Sequence, residues 1–273
     1  RVKIRMIEIT NLSKTFKLSK EAKKQLIQTK QDIRQEGDYF NALTNVSFSC
    51  PSGQVLGLLG PNGAGKTTTL RILASSILPD SGKITINGED VLHKPLVAKR
   101  KIGFLSSKTG LYARLTAKEN IEYFAKLHGM SKKTIKEQGE LLYQQLGIED
   151  YLHRRIDTLS SGMHQKVSIA RAVIHQPEVL VLDEPTTGLD IMATETILNF
   201  IEQQKELGRP VIFSTHHMDE VSALADNVAI IDQGQTCFEG SILALKEKAE
   251  VEDLREAFMK MLTSTQTSQR EEA

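Results

Sequence analysis

The sequence is 273 residues long, enough for one large α/β domain or two small ones. Its formal net charge of +1 excludes a global field that would draw the chain onto nucleic acid. No apolar run approaches the length of a membrane span, and Cys50 and Cys237 lack metal-ligand spacing and read as free, buried thiols of a cytosolic protein. No signal-peptide pattern is visible, and residues 1–5, ahead of Met6, read as an added or trimmed start.

In chain order, Met6 to Leu12 alternates apolar and polar residues and suits an edge strand, and Leu43 to Cys50 repeats the pattern. Between them lies a stretch, 17–38, rich in Lys and Gln, with Leu26 and Ile33 as sparse apolar points. It reads either as a solvated surface insertion or as a basic face that meets phospholipid heads or a partner protein. Pro51-Ser52-Gly53 turns the chain into an apolar strand, Gln54 to Leu59. There follows Gly60-Pro61-Asn62-Gly63-Ala64-Gly65-Lys66-Thr67, then a helix-like run from Thr68 to Leu78.

That loop, between strand and helix, fits the phosphate-binding pattern of two glycines four residues apart followed by Lys and then Ser or Thr. Glycines free the backbone to curl its N–H groups around an anion, and the helix N-terminus adds partial positive charge. Lys66 can reach the β and γ phosphates of a nucleoside triphosphate, and the Thr67 hydroxyl can hold Mg2+. By itself the loop indicates nucleotide binding without saying which NTPase.

Short strands are expected at Lys83 to Asn87 and Ile102 to Leu105. The pattern then turns helical. Thr116-Ala117-Lys118-Glu119 is a capping box, Ile121, Phe124 and Leu127 form an apolar face, and Gly129 ends the helix. A second helix runs from about Lys132 to Leu146 and stops at Gly147, so Tyr112 to Asp157 reads as a helical insert. Leu159-Ser160-Ser161-Gly162-Met163 precedes a helix expected over Gln165 to Ile174, with Ser160 as its N-cap. Such a start can also bind an anion. Strands resume at Val179 to Leu182, Val211 to Ser214 and Asn227 to Ile231, with a helix from Ile191 to Leu207 behind Asp190. From Thr263 the chain is rich in Ser, Thr, Gln and Glu, the composition of a disordered tail.

The strand Val179 to Leu182 ends in Asp183-Glu184. A buried parallel strand presents its C-terminal end at the ligand crevice. An Asp there can hold Mg2+ through water, and the next Glu, pointing elsewhere, can polarise an attacking water. Paired acids at a strand end are also a common solvated turn, and the phosphate loop upstream favours the functional reading. His216, after the strand Val211 to Ser214, can donate to a phosphate or be structural; His217 faces away.

In this order, these stretches resemble the ATP-binding subunit of ABC transporters, over nearly the whole chain, and within that family the subunits of bacterial drug and sodium exporters. The resemblance implies a P-loop NTPase (RecA-like) α/β core with an antiparallel β subdomain and an inserted α-helical subdomain. Residues 1–262 then form one ATPase domain: 6–110 and 159–245 the nucleotide-binding core with its β subdomain, 17–38 a basic insertion and 111–158 the helical subdomain, with 263–273 a disordered tail. It implies ATP and Mg2+ as ligands. Gly60, Pro61, Asn62, Gly63, Ala64, Gly65, Lys66, Thr67 and Thr68 would bind phosphate, Thr67 and Asp183 would organise the metal, Glu184 would be general base, and His216 would bind the γ-phosphate. Phe16 sits where an aromatic stacks on adenine, with Tyr39 and Phe40 as competitors. Ser160 and Gly162 would reach the nucleotide of a second copy in a head-to-tail dimer.

The implied partner is a separate transmembrane permease at the cytoplasmic face of the membrane, with no nucleic acid involved, and the implied work is export of a solute such as sodium ions or a drug. A soluble non-transport ABC ATPase and a nucleotide-gated regulator are the alternatives. Two positions depart from the family pattern: Ser161 replaces the first signature glycine, and Ser107 stands where a Gln senses metal and water. A side chain that short reaches a metal only through water, so slower hydrolysis or weaker coupling is expected.

Overall fold

The computed structural model describes residues 6–19, 33–106 and 110–271, with side chains described as far as Thr263. Most of the 17–38 insertion and Ser107 lie outside the described residues.

Two sheets organise the chain. β1 (Met6–Lys17), β2 (Gln35–Glu36), β3 (Tyr39–Pro51), β5 (Ser81–Ile86) and β6 (Glu89–Asp90) form an antiparallel sheet in the order β2-β3-β1-β5-β6. β4 (Val55–Leu59), β7 (Ile102–Leu105), β8 (Val179–Asp183), β9 (Val211–Ser214), β10 (Asn227–Asp232) and β11 (Gln235–Ser241) form the second, in the order β11-β10-β4-β9-β8-β7. All pairs of this second sheet are parallel except β10 with β11. β4, β8 and β9 are buried at every residue, which is why they read as unbroken apolar runs rather than alternations. β4 lies between β9 and β10, so the phosphate loop leaves the sheet near its middle.

Helix α1 (Lys66–Leu73) follows the loop, and its Leu70 and Ile72 join a core with Ile7, Ile9, Val46 and Phe48 of the antiparallel sheet and Leu56 and Val181 of the parallel one. Burying one such aliphatic side chain is worth about 1.5–3 kcal/mol, so this layer fixes the loop against both sheets. A short α2 (Pro95–Lys101) leads into β7. The helical insert then comprises α3 (Ala117–Leu127) and α4 (Lys132–Leu146). The Thr116–Glu119 capping box forms in both directions, and α4 ends on Gly147 in the left-handed conformation, φ 58. Asn120, fully buried, accepts from the Tyr112 amide at 2.8 Å and donates to the Thr116 carbonyl at 3.0 Å, pinning the entry to α3. The insert rejoins the core through α5 (Ser161–Val173): buried Arg171 donates to the Gly110 carbonyl at 3.1 Å and lies 4.9 Å over the Phe124 ring.

Beyond β8, α6 (Ile191–Glu206) is capped by Asp190, which accepts from the Ala193 amide at 2.8 Å. α7 (Met218–Leu224) follows β9; α8 (Ile242–Ala249) and α9 (Leu254–Glu271) close the chain on the β10–β11 hairpin through Leu245, Leu254, Ala257 and Met261.

Three sequence expectations change. β1 is internal to its sheet, because alternation reports one solvated face and not an edge. α1 stops at Leu73 rather than Leu78: Ser75 turns left-handed (φ 51) and the Ser75 and Ser76 amides bond back to Ile72 and Arg71. The tail from Thr263 continues α9 to Glu271 instead of disorder. Asp253 accepts from the Glu256 amide at 2.9 Å, so a cap and an apolar first half nucleate a helix that the polar residues extend. Cys50 is buried and Cys237 half-buried; burial pushes the Cys50 thiol up to about 12.

Candidate functional site

The C-terminal ends of β4, β8 and β9 meet in one crevice, with Asp183 opposite Ser214 in the β8–β9 register and Ser214 opposite Leu58 in the β9–β4 register. Gly60 leaves β4 at φ 149, where a Cβ would stand 2.1 Å from the Ile231 carbonyl oxygen. At Gly65, φ 114, a Cβ would stand 2.6 Å from Leu43 Cδ2. Both positions demand glycine on steric grounds as well as conformational ones. Asn62, Gly63, Ala64, Gly65, Lys66, Thr67 and Thr68 line one cavity of about 330 Å³ together with Glu184, Ala42, Phe40 and Arg34.

Lys66 is the first residue of α1, and its Nζ donates to the carbonyls of Gly60 at 2.6 Å and Pro61 at 3.0 Å. Burial pushes its pKa down, while the charges of Glu184 and Asp183 push it back up. Thr67 Oγ1 stands 3.4 Å from Asp183 Oδ1. Ser214 Oγ donates to that same oxygen at 2.8 Å, and Asp183 Oδ2 is buried with no hydrogen-bond partner among the described residues. Burial raises the Asp183 pKa against the hydrogen bond from Ser214. A hydroxyl beside a carboxylate with an unpartnered buried oxygen is an all-oxygen donor set that suits Mg2+. Among the described residues no group of three or more His, Cys, Asp or Glu could hold a metal ion. Thr67 and Asp183 could supply only part of a coordination sphere, which nucleotide and water would complete.

Glu184 adopts φ 50, a left-handed conformation rare outside glycine, and its amide donates to Ser214 Oγ at 3.0 Å. The turn carries the carboxylate into the cavity while Asp183 stays in the sheet. His216 Nδ1 lies 3.8 Å from Glu184 Oε1, and Thr187 Oγ1 lies 3.4 Å from Glu184 Oε2. The two acids thus point apart, one towards the loop hydroxyl and one towards the strand-end histidine. His217 does not point cleanly away: its ring lies 4.1 Å from that of His216.

Sequence reasoning missed Glu220. This buried carboxylate on α7 accepts from Thr186 Oγ1 at 2.6 Å and Thr215 Oγ1 at 2.7 Å, bridging the loop after Glu184 to the residue before His216. An acid in the first turn of a helix reads as a dipole partner, so nothing in the spacing singled it out. Gln165, also unmarked, donates to the Pro185 carbonyl at 2.7 Å.

Ser160 and Gly162 are not among the residues lining the cavity. Ser160 is exposed and caps α5, accepting from the Met163 amide at 3.3 Å. The helix starts at Ser161, four residues before the expected Gln165. Gly162 is buried, and a Cβ there would stand 2.9 Å from Ala193 Cβ, so glycine lets α5 and α6 close. Nor does Phe16 line the cavity; it faces Phe40 across β1 and β3, and Phe40 takes the lining position. Tyr39 is half exposed, opposite Lys17.

The family model described as ABC transporter matches residues 43–187, more than half of the chain. The ABC transporter ATP-binding protein NatA of Bacillus subtilis is 45% identical over 222 residues, covering 81% of this chain and 90% of that protein. The doxorubicin resistance ATP-binding protein DrrA of Mycobacterium tuberculosis is 37% identical over 208 residues, covering 76% of this chain and 63% of that protein. The linearmycin resistance ATP-binding protein LnrL of Bacillus subtilis is 38% identical over 190 residues, with 61% of it covered, so the chain spans less than two thirds of these last two. Among solved structures, an ATP-binding subunit of an ABC transporter aligns at TM-score 0.79 and 26% identity, covering 94% of this chain and 99% of that one. The dimeric post-hydrolysis cassette MJ0796 bound to ADP and Pi aligns at TM-score 0.73 and 24% identity, a likeness of fold.

Proposed function

The chain belongs to the ABC transporter family as an ATP-binding subunit and an ATPase, and from that premise we propose that it powers export of a solute through a separate transmembrane permease. The observation that carries this reading is the meeting of the phosphate loop, Asp183, Glu184 and His216 at the ends of three adjacent strands. In this reading the loop amides and Lys66 hold the phosphates. Thr67 and Asp183 would hold Mg2+, which would supply positive charge against that of the phosphates. Glu184 takes the proton of the attacking water, and His216 donates to the γ-phosphate.

The exposed start of α5 supports a second role. Within one chain Ser160 is exposed and does not line the cavity, and a head-to-tail second copy would bring it to the partner's γ-phosphate. Moving an open–closed equilibrium from 1:99 to 99:1 takes about 5.5 kcal/mol of differential affinity, which contacts made only in the closed dimer can supply. Hydrolysis then removes the bridge and the pair reopens.

None of the helices of the described residues is long and apolar enough to cross a membrane. In this reading a permease carries the solute, with this chain on the cytoplasmic face. The drug-resistance relatives favour export of a drug over the alternatives of a soluble ABC ATPase or a regulator with little turnover, with sodium ions as the other candidate solute. We further propose the division into a nucleotide-binding core, a helical subdomain at 111–158 and a basic insertion at 17–38. Purification from its native membrane tests the assignment: a multi-span protein should copurify, and the pair in vesicles should export solute with ATP but not when this subunit carries Glu184→Gln. A chain with no membrane partner would contradict it.

A further inference from the structure

We propose that Arg34, carried by the basic insertion, is a nucleotide-binding residue, a second cation that takes the polyphosphate chain beside Lys66. The proposal rests on the reading of the cavity as the ATP site.

Arg34 is placed by the hairpin that follows the insertion. Gln35 pairs with Phe40 and Glu36 with Tyr39 across β2 and β3, and the Arg34 carbonyl accepts from the Asn41 amide at 2.9 Å. Its guanidinium lies 4.7 Å over the Phe40 ring, and Nη1 donates to the Gly63 carbonyl at 2.9 Å. Arg34 therefore touches the phosphate loop itself, and Arg34, Phe40, Gly63 and Lys66 line the same cavity.

Charge and chemistry both favour phosphate as its ligand. Among the described lining residues the cationic side chains are Lys66 and Arg34, and Glu184 is anionic. Lys66 is occupied by two loop carbonyls and neighbours both acids. A triphosphate brings more negative charge than one such cation balances. Guanidinium binds phosphate through paired, charge-assisted hydrogen bonds, which are stronger than its bond to a neutral, exposed carbonyl. The backbone is already held by the hairpin and the Phe40 face supports the planar group at the cavity wall.

The test is calorimetric titration of the full chain with Mg-ATP and, separately, with inorganic tripolyphosphate. Arg34→Ala should weaken both ligands by roughly tenfold, the scale of one charged hydrogen bond. Arg34→Lys, which keeps the charge, should recover much of the loss, with an unchanged melting temperature excluding a folding defect. If Arg34→Ala binds either ligand as tightly as the wild type, the proposal is overturned; tripolyphosphate alone unaffected would mean the guanidinium serves the base. Wild-type protein that binds neither ligand, and does not differ from Lys66→Ala, would overturn the cavity reading itself and this proposal with it.

Discussion

Ser214 donates its hydroxyl to Asp183 Oδ1 at 2.8 Å, and the other carboxylate oxygen is left buried without a partner among the described residues. The sheet thus orients the acid from one side, and the second oxygen is the one proposed to meet Mg2+. Burial raises the Asp183 pKa, so its ionisation opposes folding as pH rises through the carboxylate range. Asp183→Asn should therefore melt no lower than the wild type at neutral pH, and its relative advantage should shrink towards acid pH. The extra thermal stabilisation that Mg2+ adds to bound ATP should disappear in the variant. A variant that keeps this Mg2+-dependent shift places the metal elsewhere.

Glu184 reaches the cavity through its left-handed turn and faces His216. Glu184→Gln preserves shape and removes the proposed base, so single-turnover phosphate release should slow by about 10²–10⁴-fold with ATP affinity retained. A rate within a few-fold of the wild type would assign the base to another group.

Glu220 joins Thr186 to Thr215 and so links the segments that carry Glu184 and His216. Glu220→Ala leaves two buried hydroxyls without that acceptor and should cost about 1–3 kcal/mol in urea unfolding, with a fall in turnover. Glu220→Gln keeps an acceptor oxygen and should lose less of both. Equal effects of the two substitutions would mean that packing, not hydrogen bonding, is the contribution of Glu220.

His175 stacks on His128 with ring centroids 3.8 Å apart, and burial, then the neighbouring His128, lowers its pKa to about 4. A depressed histidine pKa means the unfolded chain binds more protons at mildly acid pH. The contribution is complete above the ordinary histidine pKa of about 6.5 and is lost as pH falls towards 4, roughly 1–2 kcal/mol after screening. His175→Gln should flatten the melting temperature between neutral pH and that limit. An unchanged slope would remove His175 as the cause.

The core was legible where one interaction decides the local structure. Ile102–Leu105, Lys132–Leu146 and Val211–Ser214 match the expected bounds because buried parallel strands and capped helices carry local signals. The phosphate loop was legible because its steric demands select glycine. What depends on register between distant segments was not. Phe40 and not Phe16 lines the cavity, and Arg34, which leads into the β2–β3 hairpin, reaches Gly63. Glu220 gains its partners only when β8 and β9 lie side by side. Ser160 is legible as a cap, and its proposed ligand belongs to another copy of the chain.

The most direct test of the account is the mass of the Glu184→Gln protein in solution, measured by light scattering with and without ATP, alone and with its permease. Twice the monomer mass with ATP, reverting to monomer on ATP removal or in the additional presence of Ser160→Arg, is the predicted result. A chain that binds ATP yet never pairs with a second copy, with the permease or without it, would contradict the closed-dimer mechanism.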